Sequence, residues 1–581
     1  MTRFGPVLLP GGGVMFRLWA PDACSVAVAL PGRSPIAMEA TSDGFFSLTV
    51  SDAGPGQRYR FRIGEHEVPD PASRRQDGDP AGWSVVQAPL PPMRQASPPR
   101  PWHEVILTEL HVGTATPEGT FEGIAARLDH FAAAGFTAIE LMPVAEFPGC
   151  RNWGYDAVLP FAPDEAYGSP AALRDLVDAA HHRGLGMVLD VVYNHFGPEG
   201  NYVSLFAARF FNAAHTTPWG DAIDLGEPLV RRYFIENALM WLTEYDFDGL
   251  RFDAVHAFAA PGGDVFLREL AEACRSVKPD AWLVLENDDN AARWLERDTM
   301  GRPRFFTAQW NDDAHHALHV ASTGERRGYY ADFSKDPIAD VQRALAEGFV
   351  YQDNPSTHRG GKRRGEPSRH LPPTAFVNFV QNHDQIGNRP RGDRLAASMD
   401  AARLDLLRFL LLLEPAVPLF FQGEEAALDT PFPFFCDFAG ELGEAVRRGR
   451  REEFRDLFHG TAEVPDPLDP ATMESAKLAW DALTPTATAP FRDLVAHRER
   501  LVIPLLGTAY LGASTIREGA ALVWRWRFAS GTLCLAANLD TIAVDLDVTP
   551  TAGSVSVGDA DFDGSALRLG AWSGCAWAEP A

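Results

Sequence analysis

Between residues 103 and 500 the chain repeats one rhythm: a short apolar run, a polar stop, then a stretch whose apolar residues recur at helical spacing. The apolar runs are VILTELHV (105 to 112), TAIELMPV (137 to 144), GMVLDVVYNH (186 to 195) and FDGLRFDAV (247 to 255). Four more follow at AWLVLEN (281 to 287), FFTAQWND (305 to 312), AFVNFVQNHD (375 to 384) and VPLFFQGEE (417 to 425). Stretches such as GIAARLDHFAAAG and SPAALRDLVDAAHHRG lie between them. Eight largely apolar strands alternating with helices predict a parallel (β/α)8 barrel over 103–500, with reactive groups at the strands' carboxyl ends. A doubly wound sheet is the structural alternative, but it gives no reason for polar residues to end nearly every strand.

The flanks follow a different pattern. Residues 1–90 alternate β-type runs, VMFRLWA, SVAVAL, FFSLTV and RYRFRI, with turns rich in Gly, Pro, Asp and Ser, which predicts an N-terminal β-sandwich. Residues 91–102 are too proline-rich for a sheet or helix and read as a linker. Residues 501–581 return to β-type runs, ALVWRWRF, TLCLAANLD, AVDLDVT and GCAWAE, and predict a C-terminal β-sandwich. The polar, basic stretch at 353–373 reads as an exposed loop between the sixth and seventh strands. LPGGGVMF is a turn before a strand, because it lacks the lysine and helix of a phosphate loop.

A formal net charge of −26 excludes a nucleic-acid or anionic-membrane surface, since either requires a compensating basic face. A neutral or cationic partner fits it. The six cysteines lie far apart with no C-x-x-C pair, so neither a disulfide framework nor a zinc site is expected. With no signal peptide and no apolar stretch of membrane-spanning length, the expected location is the cytoplasm.

Candidate chemistry stands at the strand ends. Asp253 in GLRFDAV, Glu286 in LVLENDDN and Asp384 in FVQNHD each follow an apolar run. Any one of them alone reads equally well as the cap of the next helix. Three together on one rim suit glycoside hydrolysis with retention. That reaction needs an ionised carboxylate to attack the anomeric carbon and a protonated carboxyl to serve the leaving oxygen, roughly 5 to 5.5 Å apart. Arg251, two residues before Asp253, shares its strand face and would keep it ionised. Glu286 has no basic neighbour in sequence, and Asp288 and Asp289 would raise its pKa. Asn194, His195 and His383 are neutral donors for sugar hydroxyls. Trp153 and Tyr155 are either stacking platforms for a pyranose or core aromatics. The histidines at 315, 316 and 319 have a spacing open to a metal, but no carboxylate-rich loop or zinc signature accompanies them and the chemistry needs none. No metal and no cofactor are expected.

With these residues in place, the chain resembles the α-amylase family of glycoside hydrolases, family 13. That family's four short motifs match DVVYNH (190 to 195), GLRFDAV (249 to 255), LENDD (285 to 289) and FVQNHD (379 to 384), in order. Further stretches are similar to the family's trehalose-releasing members. They are ELHVGTATPEGTFEGI (109 to 124), WGYDAV (153 to 158), YNHFGPEGNY (193 to 202), NDDAHHALHVASTGERRGYY (311 to 330), QNHDQIGNRPRGDRL (381 to 395) and TPFPFFCDFAGELGEAVRRGRREEF (430 to 454).

The resemblance implies hydrolysis of the α-1,4 bond next to the terminal trehalose of maltooligosyltrehalose, releasing trehalose and a maltooligosaccharide. It also implies an N-terminal sandwich of carbohydrate-binding type and a substrate supplied by a maltooligosyltrehalose synthase. Asp253 would be the nucleophile, Glu286 the general acid and base, and Asp384 the residue that holds and distorts the sugar. Substrate-binding positions implied are Trp153, Tyr155, Asn194, His195, Arg251, His256, Asn287, Asp288, Asp313, His315, His383 and Gln385. An α-glucan debranching or branching enzyme of the same family is the nearest alternative, and a glucan-binding protein without catalysis the alternative of another class.

Overall fold

The structure, a computed structural model, describes residues 4–92, 100–217, 220–258, 261–458 and 464–581, without the side chains of 455–458. Of the predicted linker, residues 93–99 lie outside the described residues. Eight parallel strands close into a barrel: β1 (Leu107–Leu110), β2 (Ala138–Leu141), β3 (Gly186–Val191), β4 (Gly249–Phe252), β5 (Trp282–Leu285), β6 (Ala308–Trp310), β7 (Phe376–Asn378) and β8 (Val417–Phe421). Each predicted apolar run contains one of them.

The runs are apolar because both faces of the strands are buried. Leu107, Ala138, Val188, Val284, Val377 and Leu419 fill the barrel centre. Ile139, Leu141, Leu189, Leu250, Leu283 and Leu285 belong to the shell beneath the helices. Gly186 and Gly249 make room for Trp282: a Cβ on either would lie 2.4 Å from that residue. Two residues further along, the inner face turns charged. Glu109 pairs in register with Glu140, and Asp190 with Arg251.

The strands stop earlier than the sequence pattern suggests. β3 ends at Val191 rather than His195, and β7 at Asn378 rather than Asp384. Ladder pairing ends where each neighbour ends, Val191 opposite Phe252, and the polar tails leave the sheet at the rim. Their side chains therefore do not alternate between two faces.

The N-terminal region forms two sheets, one around Val14–Trp19 and Phe45–Val50, the other around Ala27–Ala29 and Arg58–Ile63, which enclose Phe16, Val28, Tyr59 and Phe61. It meets the barrel's helical shell where Tyr233 Oη donates to Pro71 O at 2.5 Å and the Phe4 and Tyr233 rings meet edge to face. The C-terminal region packs a five-stranded sheet on a three-stranded one over Val523, Cys534, Leu546, Leu569 and Trp577. Trp524 and Trp526 tie it to the helix Pro337–Glu347 through indole N–H bonds to Gln342 O and Leu345 O, both 3.0 Å. Among the described residues no helix is long and apolar enough to cross a membrane. None of the six cysteines is paired.

A cavity of 570 Å³ opens at the strands' amino ends between Trp102, Arg275 and Trp282 and contains none of the candidate acids. The chemistry belongs to the opposite rim.

Candidate active site

Arg251 organises the rim. Its side chain is fully buried on β4, over the ring of Trp310 at 4.2 Å. One guanidinium nitrogen, Nη1, donates to Asp190 Oδ2 at 2.7 Å and to Asp253 Oδ1 at 2.8 Å, while Nη2 donates to Glu286 Oε2 at 2.7 Å. A single planar fork thus bridges Asp253 and Glu286. Burial opposes the arginine's charge, but Asp190, Glu286, Tyr155 and Asp253 outweigh it and hold Arg251 protonated.

Asp253 follows the end of β4 directly, and Asn194 Nδ2 donates to its Oδ2 at 2.7 Å and its backbone oxygen at 3.0 Å. Ala254 then adopts a left-handed conformation, φ +40°, which aims its N–H at Glu286 Oε2, 2.8 Å away. A non-glycine residue there costs roughly 1–2 kcal/mol, which the surrounding bonds must offset. Glu286 Oε2 therefore accepts two donors, whereas Oε1 meets none among the described residues. Burial raises the pKa of Glu286 well above the usual range; Arg251 opposes this, and the charges of Asp253, Asp384 and Asp312 add to it. Asp288 and Asp289, expected to raise that pKa, are not among its leading causes, and their carboxylates are paired with arginines.

Asp384 lies in the short helix His383–Gly387, with its side chain 37% exposed at the mouth. Burial works against its charge, but the neighbouring His383 and Arg251 prevail and hold the carboxyl below the usual carboxylate range. His383 is buried, with Nε2 3.4 Å from Asp384 Oδ1 and Nδ1 2.5 Å from Glu109 Oε1. Tyr155 stacks on its ring at 5.1 Å and donates its hydroxyl to Asp190 Oδ2 at 2.6 Å.

Several predicted substrate contacts are placed differently. Trp153 is 6% exposed, stacked on Phe432 with its indole N–H on Pro433 O, so it is a core aromatic. His195 is buried, Nε2 against Tyr155 O and Nδ1 against Asn194 Oδ1, and holds Asn194 instead of facing the cleft. His315 is fully buried between Val380 O and Tyr330 Oη. Among the described residues no group of side chains is arranged to hold a metal. Gln385 turns back to accept the Asn382 N–H in a capping box. Asn287 is buried in the turn after β5, its Oδ1 accepting the Asp289 N–H and its carbonyl accepting from Gln309. His256 is exposed at the mouth, its Nδ1 accepting the Asp288 N–H.

The basic loop at 353–373 is more than a solvated excursion. Arg359 pairs with Asp288 and Asp289, and the buried Arg364 lies 2.7 Å from Asp288 and 2.9 Å from Asp313. Asp313 is fully buried and accepts the N–H groups of Val350 and Tyr351 as well as Asn290 Nδ2. It fastens the loop instead of facing the cleft. Of the five acidic and amide residues after Leu285, Asp288 and Asp289 hold the loop's arginines, because unpaired charges so close together would repel.

Four residues of this neighbourhood were not picked out from the sequence. Glu109 and Glu140 lie inside apolar strands, and their inward direction follows only from the closed barrel. Glu140 has both carboxyl oxygens buried without a hydrogen-bond partner among the described residues, and burial raises its pKa well above the usual range. Asp312 opens the helix Asp312–Thr323; burial, with Asp384 nearby, pushes it up to about 7. Trp310 carries Arg251. The one available signal was alternation within β1 and β2, where a single acid interrupts each apolar run.

An α-amylase catalytic-domain family matches residues 72–213, and the carbohydrate-binding module 48 family, the isoamylase N-terminal domain, matches residues 3–80. The malto-oligosyltrehalose trehalohydrolase of Deinococcus radiodurans is 40% identical over 82% of this chain and 79% of its own length. That of Saccharolobus solfataricus is 38% identical over 81% of this chain and 82% of its own. The chain belongs to the malto-oligosyltrehalose trehalohydrolase family. The fold agrees with a crystal structure from Salmonella typhimurium described as a candidate alpha amylase, with TM-score 0.95, 41% identity and full coverage of both chains. A pullulanase from Paenibacillus barengoltzii, 19% identical with TM-score 0.72 over all of this chain and 95% of its own, shares the fold of the trehalohydrolase-family chain.

Proposed function

We propose that this protein is a retaining glycoside hydrolase that cuts the α-1,4 bond next to the terminal trehalose of maltooligosyltrehalose, releasing trehalose and a maltooligosaccharide. The observation that carries the reading is the Arg251 fork, which brings Asp253 and Glu286 to one rim within the width of a guanidinium. Family membership supplies the substrate class.

In this reading Asp253 attacks the anomeric carbon and forms a covalent glycosyl ester, while Glu286 gives its proton to the departing trehalose oxygen. The proton leaves from Oε1, since Oε2 is already engaged by Arg251 and the Ala254 N–H. Glu286, now ionised, takes a proton from water, and the hydroxide opens the ester with return of the α-anomer. Asp384 and His383 hold the sugar's hydroxyls, and Tyr155 forms the floor beside them. In this reading the trehalose unit departs past His256 and Asp288, which are joined by a hydrogen bond. The substrate needs an earlier enzyme that converts the reducing end of a maltooligosaccharide into trehalose, which assigns the pair to trehalose biosynthesis. Unpaired cysteines suit a reducing cytoplasm.

Incubation with maltooligosyltrehalose, linear maltooligosaccharides and amylopectin tests the assignment. Trehalose is expected from the first, with the α-anomer of the maltooligosaccharide appearing ahead of mutarotation. Faster cleavage of linear chains, or of α-1,6 branches, with no trehalose would overturn it.

A further inference from the structure

Glu109 stands on β1, at the opposite side of the β8–β1 closure from the motif that contains Asp384, and both its oxygens are committed to one residue. Oε1 is 2.5 Å from His383 Nδ1, and Oε2 accepts the His383 backbone N–H at 3.0 Å. The other ring nitrogen, Nε2, faces Asp384 Oδ1 at 3.4 Å. An imidazole with a carboxylate at each nitrogen must carry a hydrogen on both, and is then a cation. The ring is clamped flat by Tyr155 and edge-on by Trp153. Other titratable groups around it are His111 from the loop after β1, held neutral with its pKa lowered to about 4 by burial, and Glu140 on β2, kept neutral by burial.

We propose that Glu109 is a positioning residue for the glycosidic reaction: by gripping the ring and backbone of His383 it fixes that side chain as an imidazolium aimed at Asp384. The inference rests on the assignment of Asp384 to the sugar-holding role. Its logic is electrostatic and geometric together. The barrel interior would otherwise favour a neutral imidazole, since burial opposes the charge of His383, while Asp384 and Glu109 carry its pKa well above the usual range. A charged His383 keeps Asp384 ionised at the mouth and presents Nε2–H on the same side. Hydrogen bonding assigns the task to Glu109 and not to its in-register partner Glu140, because the latter touches no hydrogen-bond donor among the described residues.

Glu109→Gln is the discriminating variant. It keeps size and still accepts the backbone N–H, but its amide donates to Nδ1, which forces His383 into the neutral Nε2–H form. Histidine-selective ¹⁵N spectra without substrate, with His383→Asn identifying the resonance, are expected to show a cation through pH 8 in the wild type and a neutral ring in E109Q. Turnover of maltooligosyltrehalose by E109Q is expected to fall about 10- to 100-fold with KM changed about twofold or less. Activity should recover as pH is lowered, since the ring regains its proton. A ring that stays charged in E109Q, or one that turns neutral with turnover unchanged, overturns the proposal. Should E109Q not fold, Glu109→Asp keeps the charge but cannot reach both donors. It is expected to retain the cation and lose at least about tenfold in turnover, and unchanged turnover would overturn the proposal. Because the spectra need no substrate, failure of wild-type trehalose release would count against the hydrolase reading without touching this arm.

Discussion

At the scale of single residues, one buried arginine decides most of the site. Arg251 binds both Asp253 and Glu286, so their different chemistry cannot come from one having a cation and the other lacking it. It comes from what else each oxygen meets. Asp253 takes an Asn194 amide on the oxygen that Arg251 leaves free, while Glu286 Oε1 meets no donor among the described residues and lies in a crowd of like charge. Asp253→Ala and Glu286→Gln should each cut turnover by about a thousandfold or more at nearly unchanged melting temperature. Activity within about tenfold of wild type would remove the assignment. An acid must be protonated to act, so turnover should decline as pH rises through the elevated pKa of Glu286. Asp312 adds to that elevation. Asp312→Asn should therefore move the alkaline limb of the kcat profile to lower pH, by about half a unit. An unmoved limb would show that Asp312 is too well screened to matter.

At the scale of elements, the polar tail after β5 and the basic loop before β7 are two halves of one structure. Their charges are complementary: the tail, Glu286 to Asn290, concentrates three carboxylates, and the loop concentrates arginines. Asp313, at the start of the helix after β6, joins them by accepting from Asn290, Val350 and Tyr351 while pairing with Arg364. Asp313→Ala takes one of two carboxylates from the buried Arg364 guanidinium and strands three donors. The expected loss is about 3–5 kcal/mol in urea unfolding, the range for breaking a buried pair from one side. A loss below about 1 kcal/mol would mean that water replaces the carboxylate at little cost.

At the scale of the molecule, three sheet systems share one continuous apolar cluster running from Phe4 and Phe16 through Phe161 and Tyr233 to Trp526 and Ala576. The N-terminal sandwich covers aromatic side chains of the barrel's shell instead of hanging from a tether. Thermal unfolding of the intact chain should therefore melt sandwich and barrel together. Removing residues 1–90 should leave a chain that binds a hydrophobic dye and melts about 10 °C lower or more. A truncated barrel with the full melting temperature would show that the sandwich does not stabilise the barrel.

The sequence by itself determined the architecture and placed three acids at the ends of its strands. A strand buried on both faces must be apolar throughout, and eight such strands with helical spacers leave few closures, so barrel, order and flanking sheets were legible. Asp253, Glu286 and Asp384 were legible because they break that pattern at its ends. Directions at the rim were not. Once the ladder stops, alternation no longer says where a side chain points, so His195, Trp153, His315, Asp313 and Gln385 read as candidate sugar contacts and proved to be held by the protein. Glu109 and Glu140 were hidden for the complementary reason: within an apolar run an isolated acid has no visible partner. Only closure of the barrel brings β1 beside β8 and Glu109 against His383, residues separated by 274 positions. Hydrogen-bond partners of that kind are a property of the closed sheet and are written in no local stretch of the chain.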